Sequence, residues 1–82
     1  MKTVTLTLIT PASKESWEVK WVEINTPSGN RVIQPGHAPT VALLKPRSIV
    51  RFLQDEKIEK FEIGEGVCRI ERTSVTLAIT PF

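Results

Sequence analysis

Val32-Ile33-Gln34-Pro35-Gly36-His37-Ala38-Pro39, followed by Thr40-Val41-Ala42-Leu43-Leu44, joins two apolar runs through a proline-bracketed turn. Pro35 and Pro39 each hold φ near −65° and push Gln34 and Ala38 away from helical geometry. Gly36 follows Pro35 and fits the φ > 0 position of a type II turn. The flanking runs, Arg31 to Gln34 and Val41 to Leu44, are short, rich in branched residues and ended by proline, so they read as strands. The turn holds one backbone shape. It serves either as a recognition loop or as a rigid corner.

Alternation continues outward from this stretch. Val4, Leu6 and Leu8 point one way and Thr3, Thr5 and Thr7 the other, which is a half-buried strand. Trp17, Val19 and Trp21 alternate with Glu18 and Lys20. The phase then shifts to Val22 and Ile24, which predicts a bulge or a strand that changes face. Asn25 to Asn30 is a turn cluster. Ser48–Gln54 and Lys57–Ile63 flank Asp55-Glu56 as a hairpin. Ile58 is out of phase with Phe61 and Ile63, which predicts a bulge near Glu59-Lys60. Gly64 and Gly66 break the next run and predict a bulge or sharp corner. Val67–Ile70 and Val75–Ile79 form a last hairpin around Glu71 to Ser74. No helical period persists. The expected fold is all-β: a small antiparallel β-sandwich or flattened barrel of about eight to ten short strands.

The 82 residues are expected to form a single domain, residues 1–82. A chain of this size buries about 60% of its unfolded surface, enough to fold without staples. A hydrophobic content of 40% and a charged content of 24% are ordinary for a globular protein. The net charge of +2, with cations scattered among acids, gives no argument for nucleic acid. Cys68 is the single cysteine, so an internal disulfide is excluded and a reducing, cytosolic compartment is expected. With one histidine, His37, a structural zinc site is also not expected. No apolar run approaches the ~20 residues that span a bilayer, and the N-terminal residues lack a signal peptide's apolar centre. Membrane association would run through a protein partner, without direct insertion.

His37 is the one candidate general base near neutral pH. Ser28, Ser48 and Asp55 exist, but no spacing ties them to it as a triad. Its remaining readings are a contact residue on an exposed loop or a ring that stiffens the turn through a backbone hydrogen bond. Gly64-Glu65-Gly66 lacks the following helix of a phosphate loop. Trp17 and Trp21 read as core or half-core, and Cys68 as a buried small hydrophobe. Lys45, Arg47, Arg51 and Arg31 form either a solvated strand face or a basic strip. No catalytic residue, metal ligand or cofactor-binding residue is assigned, and no cofactor is expected.

The proline-bracketed motif is similar to "GILPGHAP", followed by an apolar run and "KPG", in the N-terminal β-sandwich domain of the epsilon subunit of F-type ATP synthases (the delta subunit of mitochondria). Here the closing element is Lys45-Pro46-Arg47. Leu6-Thr7-Leu8-Ile9-Thr10-Pro11 resembles the family's "L-x-V-V-T-P" opening. Val75-Thr76-Leu77-Ala78-Ile79-Thr80 resembles its "VTVLAD". The resemblance implies a non-catalytic rotor subunit that couples the gamma subunit to the membrane c-ring in proton- or sodium-driven ATP synthesis. It implies peripheral attachment at the cytoplasmic face of an inner, thylakoid or plasma membrane.

It also implies a gamma-facing segment at His37, Ala38, Pro39 and Ala42, and c-ring contacts at Ser28, Gly29, Asn30 and Arg31. Family members often read "G-E-L-G" where this chain has Gly29-Asn30-Arg31-Val32, so that contact is electrostatically different here. The family's C-terminal helical hairpin, which regulates ATP hydrolysis, is not in this sequence. The chain is thus a naturally short member or the β-domain of a longer one. The alternative, from another class, is a free-standing β-sandwich that binds a peptide or small ligand at a sheet edge.

Overall fold

The computed structural model describes residues 2–81. Eight strands follow one another: β1 (Val4–Ile9), β2 (Lys14–Val19), β3 (Val22–Thr26), β4 (Gly29–Ile33), β5 (Thr40–Leu43), β6 (Ile49–Gln54), β7 (Lys57–Ile70) and β8 (Ser74–Pro81). The strand order is β2-β1-β8-β7-β6-β3-β4, with β5 paired to β7 on the edge opposite β8. β2 and β4 end the order, so the architecture is a sandwich and not the flattened barrel. One pairing departs from the antiparallel expectation. β1 lies parallel to β8, from Thr5 opposite Ser74 to Ile9 opposite Ala78.

β7 makes the two layers. Its first half, Lys57 to Glu62, pairs with β6. Its second half pairs with β8 from Ile63 and with β5 from Val67. The register slips between Ile63 and Glu65, so Gly64 is the extra residue of a bulge. The two glycines therefore bend one long strand; they do not end it. A Cβ on Gly64 would sit 2.8 Å from the Pro81 carbonyl oxygen, and one on Gly66 would sit 2.6 Å from that of Ala78. Close backbone approach requires both glycines.

The ladder from Ile49–Glu62 to Gln54–Lys57 is regular, so the bulge expected near Glu59-Lys60 is absent there. Ile58 is an outward residue, 59% exposed, opposite Leu53. The apparent change of phase came from a surface isoleucine.

The phase shift after Val19 is the second crossing between layers. β2 belongs to the β1–β8 layer and β3 to the β6 layer. The Lys20 amide donates to the Leu53 carbonyl at 2.8 Å, and the Leu53 amide to the Trp21 carbonyl at 3.2 Å, across the corner. Between the layers lie Val4, Leu6, Val19, Cys68, Ile70, Val75, Leu77 and Ile79 from one side. Val22, Ile24, Ile33, Val50 and Phe52 fill the other, with Ile63 at the bend. Trp17 is half-buried and stacks on Phe52, with ring centroids 5.6 Å apart. Burial pushes the Cys68 thiol up to about 12.

The turns match their residues. Asp55 and Glu56 have φ of 48° and 65°, the pattern of a type I′ hairpin turn. On the wet face of β1, the Thr3 and Thr5 hydroxyls donate to the Glu18 carboxylate at 2.8 and 2.6 Å, which lowers its pKa.

Candidate docking surfaces

The proline-bracketed loop closes as its residues dictate. Gly36 has φ of 88°, and the His37 amide donates to the Gln34 carbonyl at 3.2 Å, the pattern of a type II turn. The Gly36 amide donates to the Arg72 carbonyl at 2.7 Å and so fixes the loop to the β7–β8 turn. The His37 Nδ1–H donates to the Ala38 carbonyl at 2.7 Å. His37 is half-buried, with Ala38 and Pro39 exposed beside it. Ser28, Ser48 and Asp55 sit in three other turns; the Ser48 hydroxyl donates to the Lys45 carbonyl at 2.6 Å. Among the described residues no three His, Cys, Asp or Glu side chains gather as metal ligands.

β5 continues from this loop along the sheet. Ala42 is opposite the buried Cys68, so its Cβ lies on the inner side and the residue is half-buried. Its neighbours Val41 and Leu43 face outward, 67% and 65% exposed. Leu43 is opposite Val67, Val67 opposite Ala78, and Ala78 opposite Ile9. Pairing register thus builds one apolar row across four strands. It runs through a groove of about 800 Å³ whose lining also includes Pro11, Pro27 and Pro46. Sequence reasoning missed this row. Its members come from four distant segments, and only the register joins them.

Ser28, Gly29, Asn30 and Arg31 form the β3–β4 turn and the start of β4, all exposed. The His37 loop follows the far end of β4, so the two candidate segments lie at opposite ends of that strand. Asn25 anchors the turn region. Its side chain accepts from Asn30 Nδ2 at 3.2 Å and donates to the Ile49 carbonyl at 3.1 Å. Its backbone carbonyl accepts the Lys45 amide at 2.8 Å.

The sandwich thus presents an exposed apolar sheet face, with the His37 loop tied down by the Gly36–Arg72 hydrogen bond at one end and a polar turn at the other. The chain belongs to the ATP synthase delta/epsilon chain beta-sandwich domain family, whose profile matches residues 3–80. It is 32% identical over 78 residues to the ATP synthase epsilon chain of Bacillus licheniformis, covering 94% of this chain and 59% of that one. It is 33% identical to the epsilon chain of Bacillus subtilis, covering 94% of this chain and 58% of that one. The chain therefore spans under two thirds of these relatives.

The fold matches a chain of the Euglena gracilis mitochondrial ATP synthase with TM-score 0.88 at 22% identity, covering 96% of this chain and 51% of that one. It matches a chain of the central stalk and c-ring structure of the Tetrahymena thermophila enzyme with TM-score 0.80 at 14% identity, covering 98% and 66%.

Proposed function

We propose that this chain is a non-catalytic rotor subunit of an F-type ATP synthase, coupling gamma to the membrane c-ring. Family membership supports the subunit assignment. The observation that carries the docking role is the outward apolar row Leu43, Val67, Ala78 and Ile9. It leaves large aliphatic surface in water on a small domain, a liability unless a partner covers it. Gamma covers this face in our reading; His37, Ala38, Pro39 and Ala42, on the loop and strand leading away from Leu43 toward the opposite end of the sheet, are its further gamma-facing segment by resemblance. Ser28, Gly29, Asn30 and Arg31 meet the polar loops of the c-ring. Catalysis belongs to other subunits. The chain is held at the membrane, on its cytoplasmic side, through the complex.

The test is affinity capture from native membranes of the source organism. Co-purification of gamma and c subunits is the expected result. Recovery of unrelated soluble proteins in their place would overturn it in favour of a free-standing module.

A further inference from the structure

Among the described residues, β2, β4, β5 and the first half of β7 each pair on one side only. All but one of these free edges carry charge. β2 has Lys14, Glu15 and Glu18, β4 has Arg31, and the first half of β7 has Lys57, Glu59, Lys60 and Glu62. Charge on an edge keeps another strand from adding to it. β5, Thr40-Val41-Ala42-Leu43, has none.

The flanking hydrogen bonds show which groups lie on its free side. The Leu44 amide donates to the Gly66 carbonyl at 3.0 Å, toward β7, and the Lys45 amide turns the other way to the Asn25 carbonyl at 2.8 Å. Amides alternate sides along a strand, so that of Ala42 faces β7 and those of Val41 and Leu43 face away from it. A groove of about 350 Å³ lies beside this edge, bounded across from β5 by Pro27, Ser28 and Arg31. The side chains of Val41 and Leu43 stand on the outer face of the sheet, 67% and 65% exposed.

We propose that β5 pairs with β5 of a second copy of this chain, joining two sandwiches edge to edge. The strand is complementary to itself. A two-fold axis beside Ala42 sets it antiparallel to its mate, with Val41 of each copy opposite Leu43 of the other. In that register the outward amides and carbonyls of Val41 and Leu43 exchange hydrogen bonds in both directions. Pro39 and Pro46, which have no amide to donate, bound the pairing on either side. Val41 and Leu43 of the two copies meet on the outer face and extend the apolar row that runs from Leu43 through Val67 and Ala78. Like residues can face like across the axis because no charge is there to repel. The inference needs only the isolated chain. Because the pairing takes up the strand that holds Ala42, the paired form and the gamma-bound form are alternatives.

The experiment is sedimentation equilibrium of the full chain over a range of concentrations. Wild type is compared with Val41→Lys, which puts a charge on the edge, and Val41→Pro, which removes an outward amide and leaves the bonds to β7 in place. Wild type is expected to form a dimer, and both variants to raise its dissociation constant by about tenfold or more. The melting temperature of Val41→Lys should stay near that of wild type, since the side chain is exposed, so that loss of the dimer is not loss of the fold. Val67→Gln, on the sheet face but off the edge, should still dimerise. A wild type that stays monomeric at every concentration overturns the proposal. A dimer kept by both Val41 variants but lost in Val67→Gln overturns it in favour of face-to-face stacking of the apolar rows.

Discussion

The Arg47 amide donates to the Gly64 carbonyl at 2.8 Å, so the β5–β6 corner is pinned to the bend of β7. The layer crossing and the basic loop are therefore one mechanical unit. The bend has no room for a side chain on either glycine.

Gly66→Ala is expected to destabilise the domain by about 1–3 kcal/mol, the usual cost of overpacking. The added methyl would lie 2.6 Å from the Ala78 oxygen and 2.7 Å from Ile79 Cγ2, and backbone yields poorly. Urea unfolding reads the loss directly. A variant as stable as wild type would mean that β7 and β8 separate more easily than their pairing implies.

Leu77→Ala tests the interior. Leu77 is fully buried between the two layers, and truncation there is expected to cost about 2–5 kcal/mol. Against a total of about 4–12 kcal/mol for 82 residues at about 0.05–0.15 kcal/mol each, this is a large share of the domain's stability. Thermal melting should show a large drop or no folded baseline.

Cys68 sets a pH dependence. Burial raises its folded pKa from 9.0 to about 12, so the fold favours the neutral thiol. The unfolded chain releases the proton first. The contribution is fully present below about pH 9 and is lost as pH rises toward about 12. Wild type should lose stability across that window more steeply than Cys68→Ala. Parallel curves for the two proteins would contradict the assignment.

Much of this fold was legible in the sequence. Val4, Leu6 and Leu8 alternate because one face of β1 is dry, and Pro35-Gly36 specifies its turn locally. Other features were hidden for physical reasons. β2 begins at Lys14, but Lys14, Glu15 and Ser16 are exposed and carry no apolar period to announce a strand. Gly64 reads locally as a breaker, and only its pairing partners show that β7 continues. The parallel β1–β8 pair and the row from Leu43 to Ile9 are products of long-range register, which alternation within one strand does not encode. On the candidate site, the motif marks the loop, but the inward turn of Ala42 and outward turn of Leu43 depend on the β5–β7 pairing.

His37→Ala separates a docking loop from a corner. Pro35, Pro39 and the Gly36–Arg72 hydrogen bond already restrain the backbone, so losing the ring should remove contacts without freeing the turn. The expected result is weaker gamma binding, by about 1–2 kcal/mol, with little change in melting temperature. Intact affinity with a clear fall in stability would make His37 a structural residue held by its bond to Ala38.

The central claim is that gamma covers the outer apolar row. Its most direct test is the affinity of purified gamma for Leu43→Gln/Val67→Gln. These side chains are 65% and 41% exposed, so the double variant should fold with a melting temperature near that of wild type. If the row is the docking face, affinity should fall by about a hundredfold or more, as expected for loss of central apolar anchors. A folded double variant that binds gamma as tightly as wild type would contradict the account.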